Sequence, residues 1–255
     1  MYKIFTMKFI TNEPVVIVNN TIVIGDLHLG IEYEFYKAGF SIPSNIEKIK
    51  QKILQLAKEN SCKKLVLLGD VKHEFVGISY QEEREIPKFL KSLSTNLEVH
   101  IVPGNHDGNL KKIVPKGVYL HPTSGFLMDF YFFNHGHSWP DKKFLEAKVL
   151  IMGHNHPAVE FKDSLGYRWV EPCWLRGSLN KKKISERYGT KPKVREAIIV
   201  PAFNPLVGGL PVNRAPDESL LGPLMTNGII ELKECDVHLL DGTHLGKVKN
   251  LTNIF

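Results

Sequence analysis

The chain reads as an α/β fold, with strands and helices alternating around a largely parallel sheet in its first half and a second, strand-rich sheet after it. Three observations predict this. Strand-sized apolar runs end three times in a glycine-bearing polar cluster, at Gly25-Asp26, Gly69-Asp70 and Gly104-Asn105. Helical periodicity separates the second run from the first and the third from the second, which implies crossovers between parallel strands. Beyond Pro115 the texture changes to short strands and turns.

Val15-Val16-Ile17-Val18 and Thr21-Ile22-Val23-Ile24 flank Asn19-Asn20, a hairpin pattern because Asn tolerates positive φ. From Ser44 onward, Ile46, Ile49, Ile53, Leu54 and Ala57 follow helical spacing, and Ser44 with Glu47 predicts a capping box. Lys64-Leu65-Val66-Leu67-Leu68 is a buried-strand pattern, residues 80–93 read as a helix, and Val99-His100-Ile101-Val102 reads as the third strand. Polar residues at the carboxyl ends of three successive strands fall on one rim, where open α/β sheets bind ligands. Residues 125–133, 148–152, 167–170, 197–200, 237–240 and 245–248 read as β structure, the last two around Asp241-Gly242. Trp169 and Trp174 are expected in the core. No repeat or linker divides the chain, so a single domain over residues 1–255 is expected, with 166–255 completing the second sheet.

At 255 residues and 43% hydrophobic content the chain can bury a large core. Its longest apolar runs are strand-sized, short of the ~20 residues of a membrane span. Residues 1–5 lack the features of an export signal, so no membrane association and a cytoplasmic location are expected. Cys62, Cys173 and Cys235 are widely spaced and read as reduced, buried thiols. The net charge is +6, and Lys181, Lys182, Lys183, Arg187, Lys191, Lys193 and Arg195, against Glu186 alone, carry all of it. Such a run is either a solvated loop or a surface for phosphate backbones.

Seven of the eleven histidines fall in five clusters: Asp26-Leu27-His28, Asp70-Val71-Lys72-His73, Asn105-His106-Asp107, His135-Gly136-His137 and His154-Asn155-His156. His100, His121, His238 and His244 read as ordinary core or surface residues. A mix of carboxylate, amide oxygen and imidazole without thiolate suits Mn²⁺, Fe²⁺ or Zn²⁺ and disfavours a structural zinc site or an iron–sulfur cluster. The set is too large for one ion. A carboxylate between two groups of imidazoles can bridge two ions ~3.5–4 Å apart, and Asp70 is the best candidate.

In order, Asp-x-His, Gly-Asp, Gly-Asn-His-Asp, His-Gly and Gly-His-x-His, running from Asp26 to His156, resemble the calcineurin-like metallophosphoesterases. Asp26-Leu27-His28-Leu29-Gly30, Tyr36-Lys37-Ala38-Gly39-Phe40 and His73 after Gly69-Asp70 are similar to a narrower group. That group comprises archaeal phosphoesterases related to the nuclease subunits Mre11 and SbcD, and bacterial ligase-associated DNA-damage endonucleases. The resemblance implies a four-layer α/β/β/α sandwich with a dimetal site at the sheet rim. It implies one ion on Asp26, His28 and His156, the other on Asn105, His135 and His154, and Asp70 shared. The expected pair is manganese, with iron, zinc or nickel as alternatives. His106 would then be the general acid while a hydroxide bridging the ions attacks phosphorus. His73 stands where many members carry an Asp that orients the catalytic His, so Asp107 or His73 is the expected partner of His106.

Tyr33, Phe35, Tyr36 and Phe75 follow metal-bearing strand ends and are candidates to stack on a base or an aryl group. Tyr36, with Lys181, Lys182 and Lys183, is the expected substrate contact. The function these residues imply is hydrolysis of a phosphodiester in nucleic acid or a nucleotide. The rivals are a small-molecule phosphodiesterase, a phosphoprotein phosphatase, and a non-catalytic scaffold, which the complete ligand set disfavours. The oligomeric state is left open.

Overall fold

The computed structural model describes residues 6–214 and 221–251; residues 1–5, read above for an export signal, lie outside them. The first sheet has the order β1-β2-β3-β4-β5-β6, from β1 (Met7–Phe9), β2 (Val16–Val18), β3 (Thr21–Ile24), β4 (Lys64–Leu67), β5 (Glu98–Ile101) and β6 (Val118–Leu120). β3 to β6 are parallel. β2 and β3 form the expected hairpin, with Val18 opposite Thr21 and Asn19 at φ 54°. α1 (Glu32–Lys37) and α2 (Ile46–Glu59) lie between β3 and β4, and α3 (Tyr80–Ser94) between β4 and β5.

The second sheet holds β7 (Phe126–Met128), β8 (Tyr131–Asn134), β9 (Val149–Met152), β10 (Pro157–Lys162), β11 (Arg168–Ser178), β12 (Glu196–Ile199) and β13 (Leu210–Pro211), in the order β13-β10-β11-β12-β9-β8-β7. β14 (Asp236–Leu239) pairs with β11 and with β15 (His244–Lys247). α4 (Lys181–Tyr188), α5 (Pro223–Thr226) and α6 (Val248–Leu251) follow β11, β13 and β15.

Residue parity along each strand sorts the side chains into three cores. Ile22, Ile24, Leu65, Leu67, Val99 and Ile101 face outward onto Ile49 and Ile53 of α2 and Phe89 and Leu90 of α3. Their neighbours Val23, Val66, Leu68 and Val102 face inward and meet Tyr131, Phe133, Val149, Ile151, Trp174 and Ile198 of the second sheet. Phe132, Leu150, Met152, Ala197 and Ile199 point to the far side, under Ile184 of α4, Leu224 of α5 and Leu251 of α6. The result is the expected α/β/β/α layering. All three cysteines are free and buried.

Three local expectations are corrected. α2 starts at Ile46 with Asn45 as N-cap, because Glu32 Oε1 takes the Asn45 N–H at 2.7 Å and the Ser44 hydroxyl turns to Glu85. The capping box sits instead at α3, where Ser79 and Glu82 cap each other reciprocally. Lys181, Lys182 and Lys183 begin a helix rather than a loop, capped by Asn180 and anchored by the single buried Ile184. Trp174 is core, but Trp169 is 36% exposed and stacks between Phe161 and Tyr167 on the β10–β11 ribbon.

Candidate metal centre

Every candidate ligand follows a strand end on one rim. β3 delivers Asp26, β4 delivers Asp70 and β5 delivers Asn105; from the facing sheet, parallel β8 and β9 deliver His135 and His154. A backbone bridge between Gly25 and Ala202 links the two sheets there. The chain turns so sharply that Asp26, His28, Asp70, His154 and His156 all have positive φ, between 40° and 76°. Such conformations cost roughly 1–3 kcal/mol each and persist at sites the surroundings over-determine. Crowding explains the motif glycines as well: a Cβ at Gly104 would lie 2.1 Å from Asp70 Oδ1, and one at Gly69 2.4 Å from His135 Nδ1.

Three groups of ligand atoms converge among the described residues. Asp26, His28, Asp70 and His156 form one and Asp70, His135 and His154 another, with Asp70 common to both; His28, His73 and His106 form a third, which shares His28 with the first. Asn105 Oδ1 joins the second group, 3.2 Å from His135 Nε2. His135 donates Nδ1–H to the Leu68 carbonyl at 2.6 Å, which fixes its tautomer and aims the Nε2 lone pair into the group. His28 Nε2 and His156 Nε2 are buried without a hydrogen-bond partner, although Asp carboxylates lie 3.5 and 3.2 Å away. Orphaned imidazole nitrogens beside carboxylates are what a divalent cation would satisfy, and the donor set fits manganese, iron or zinc.

Charge in the cage is strongly redistributed. Burial lowers His28 to about 3, and burial with the neighbouring His135 lowers His154 to about 4, so both imidazoles are neutral donors at pH 7. Burial opposes protonation of His135 too, but Asp70 and Asp26 push it up to about 9. Burial would raise Asp70, yet His135 and His28 hold it well below the usual carboxylate range. A cation entering here therefore displaces a proton.

His106 stands just outside the two groups that share Asp70, its ring 4.7 Å from that of His28 and 5.7 Å from that of His73. Its partner is neither of the expected side chains. His106 Nδ1–H donates to the His73 backbone carbonyl at 2.5 Å, while the His73 ring turns toward His28. The Asp107 carboxylate is buried and accepts the N–H groups of Val71, Lys72 and Gly104, tying the Asp70 and Asn105 loops together. Burial raises it to about 6 against those bonds. Glu82 was not singled out from the sequence: from the first turn of α3 it accepts the N–H of His73 and of Glu74 at 2.9 and 2.7 Å. The signal for it was present, since Ser79-x-x-Glu82 is a capping-box pattern. Asn155 was likewise missed; its amide pairs both ways with the Leu221 backbone beside the ligand loop. His137 lies beside the second group, 5.2 Å from His135 between ring centroids.

Aromatic side chains crowd the margin of the site. Tyr36 is 67% exposed and stacks on Tyr33, and Phe75, 59% exposed, meets the His106 ring edge-on at 5.4 Å. The expected lysines are elsewhere. Antiparallel β11 carries the chain away from the ligands, so that Ser178 pairs with Glu196 and Glu196 with Val149, at the opposite ends of β12 and β9. Lys181, Lys182 and Lys183 start α4 from that far rim, and Lys183 Nζ donates to the Asn227 carbonyl. They do not border the ligand groups.

Residues 20–215, a span that contains every candidate ligand, match the model of a family described as calcineurin-like phosphoesterase. Among solved structures the chain is similar to a nuclease, MPE, of Pseudomonas putida, with 15% identity and a TM-score of 0.54 over 93% of this chain and 98% of that one. It is also similar to Yfce, a phosphoesterase from E. coli, with 15% identity and a TM-score of 0.39 over 89% and 97% of the two chains. At this identity the first likeness is one of fold. No curated protein matches the chain.

Proposed function

Because this chain belongs to the calcineurin-like phosphoesterase family, we propose that it hydrolyses phosphodiesters at a two-ion centre, with nucleic acid or a nucleotide as its substrate. The observation that carries this reading is Asp70, the one carboxylate common to two ligand groups. Asp26, His28 and His156 would hold one divalent ion, and Asn105, His135 and His154 the other. The ions would supply positive charge to the phosphoryl oxygens and the acidity that makes water a nucleophile near neutral pH.

The protein's own groups do the rest. With Nδ1–H engaged by the His73 carbonyl, His106 has Nε2 available to hold a proton for the departing alkoxide. Glu82 accepts the Glu74 N–H of the peptide unit that carries that carbonyl, and Asp107 fixes the loop that carries His106. Tyr36 and Phe75 offer exposed faces to bases flanking the scissile phosphate. The narrower resemblance to the Mre11- and SbcD-related phosphoesterases also favours nucleic acid. A small-molecule phosphodiesterase is the second reading, favoured by the distance of the lysine-rich helix from the metals.

The test is a comparison of Mn²⁺-loaded protein on single-stranded DNA, duplex DNA, RNA, cyclic nucleotides and phosphomonoesters. Polynucleotide cleavage above all other activities is expected. Turnover confined to monoesters or to cyclic nucleotides would overturn the nucleic-acid reading.

A further inference from the structure

The basic residues that miss the metal rim gather around a hollow of their own. It occupies about 680 Å³ at the amino ends of β9 and β12 and is lined by Lys148, Lys181, Lys193 and Arg195 together with Phe130 and Glu146. Glu196 also borders it, but its carboxylate is held at 2.7 Å by Arg176. Lys193 and Arg195 are exposed and form no ion pair among the described residues. Lys148 Nζ lies 4.2 Å from the centre of the Phe130 ring, which holds its charge at the margin.

Fold stability does not explain this charge. The first three residues of α4 are all lysine, at the helix end where the backbone dipole is itself positive and acidic residues are favoured. β9 and β12 are each four residues long, so the hollow lies at least ~13 Å along the strands from the ligand rim.

We propose that this hollow is a second anion site, which takes the phosphodiester backbone of a nucleic-acid strand some distance from the bond being cut. The proposal rests on the nucleic-acid reading of the metal centre. A chain of phosphates fits better than a single small anion, because the cations are exposed and spread along a rim, with no enclosed cradle of buried donors. Contact here raises affinity for long strands and leaves the chemistry at the metals untouched.

The experiment compares the metal-loaded protein with Lys193→Gln/Arg195→Gln. Binding of a nuclease-resistant phosphorothioate strand of about 30 nucleotides is read by fluorescence anisotropy across a salt series; the variant is expected to bind roughly tenfold more weakly, with the log–log salt slope smaller by about 1.4 for two lost phosphate contacts. A dinucleotide and bis-p-nitrophenyl phosphate should be hydrolysed at unchanged rates, and Lys193→Arg/Arg195→Lys should retain the parent's slope. Parent-like strand binding by the Gln variant overturns the second site alone. Equal losses on long and short substrates overturn it too, since they place the residues in the fold or at the catalytic mouth. Vesicles of acidic phospholipid form a further arm: charge-dependent binding to them, with oligonucleotide binding unaffected, would assign the hollow to a membrane surface. A parent protein that binds no oligonucleotide would instead sink the nucleic-acid reading beneath it.

Discussion

His106, like His135, has Nδ1 committed to a backbone carbonyl and Nε2 available, but it lies outside the two ligand groups that share Asp70. His106→Gln is expected to retain both metal ions and to slow hydrolysis of substrates with poor leaving groups by ~10²–10⁴-fold, with a smaller effect on p-nitrophenyl esters. Metal analysis beside the rate measurements checks this, and an emptied metal site would reassign the residue. Asp107 differs in kind, because its oxygens accept three backbone N–H groups from two ligand-bearing loops. Asp107→Ala should lower the unfolding free energy by about 1–3 kcal/mol, the cost of leaving buried donors unpaired, as read from denaturant midpoints. Its position next to His106 in the sequence suggested a catalytic partner. The hydrogen bond that orients His106 instead comes from a backbone carbonyl, and any residue at position 73 would carry one.

The elements divide by how strongly their pattern is written. α2 and α3 were legible because each places four or five apolar or capping residues on one face. α4 was not, since Ile184 is its only buried residue and, with Tyr188 partly buried one turn on, two apolar positions in eight span a single period. The cap of α3 has a consequence for the site, because Glu82 serves both Ser79 and the His73 loop. Glu82→Ala should therefore lower Tm and kcat together, while Ser79→Ala, which removes only the cap, lowers Tm alone. At the far edge of the first sheet His121 follows β6 and stacks on Phe126 at 3.6 Å, with His100 bonded to its Nε2 at 2.9 Å. Burial, then the charge of His100, lowers His121 to about 4 from its usual 6.5. The unfolded chain thus binds more protons between these values. The contribution is fully present above pH 6.5 and is lost as pH falls toward 4. Melting curves of His121→Gln against the parent over this window should show a shallower acid decline in the variant, and identical slopes would remove His121 as the cause.

At the scale of the whole molecule, the strand parity that sorts residues into outward, central and far cores was readable as alternating apolar runs. The order of strands in the second sheet was not, because periodicity carries no information about which strands pair. The placement of the lysines shows the consequence: Lys181 follows His156 closely in sequence, but antiparallel β11 returns the chain to the other end of the sheet. The ligands were legible for the opposite reason, since they follow the ends of five strands, β3, β4, β5, β8 and β9, and parallel strands share a rim. Strain at those ends was not written in the residue types, since Asp and His enter positive φ more readily than most residues but are held there where the surroundings over-determine them. Bound ions should repay part of it, so removing them with chelator should lower Tm, by the equivalent of about 2.7 kcal/mol if the free ion had stood at a hundredfold excess over Kd. The most direct measurement is anomalous scattering from crystals grown with excess Mn²⁺. Two peaks ~3.5–4 Å apart, with Asp70 between them, are expected. One well-occupied peak with the Asp70 carboxylate turned away would contradict the two-ion centre and the hydrolysis proposed for it.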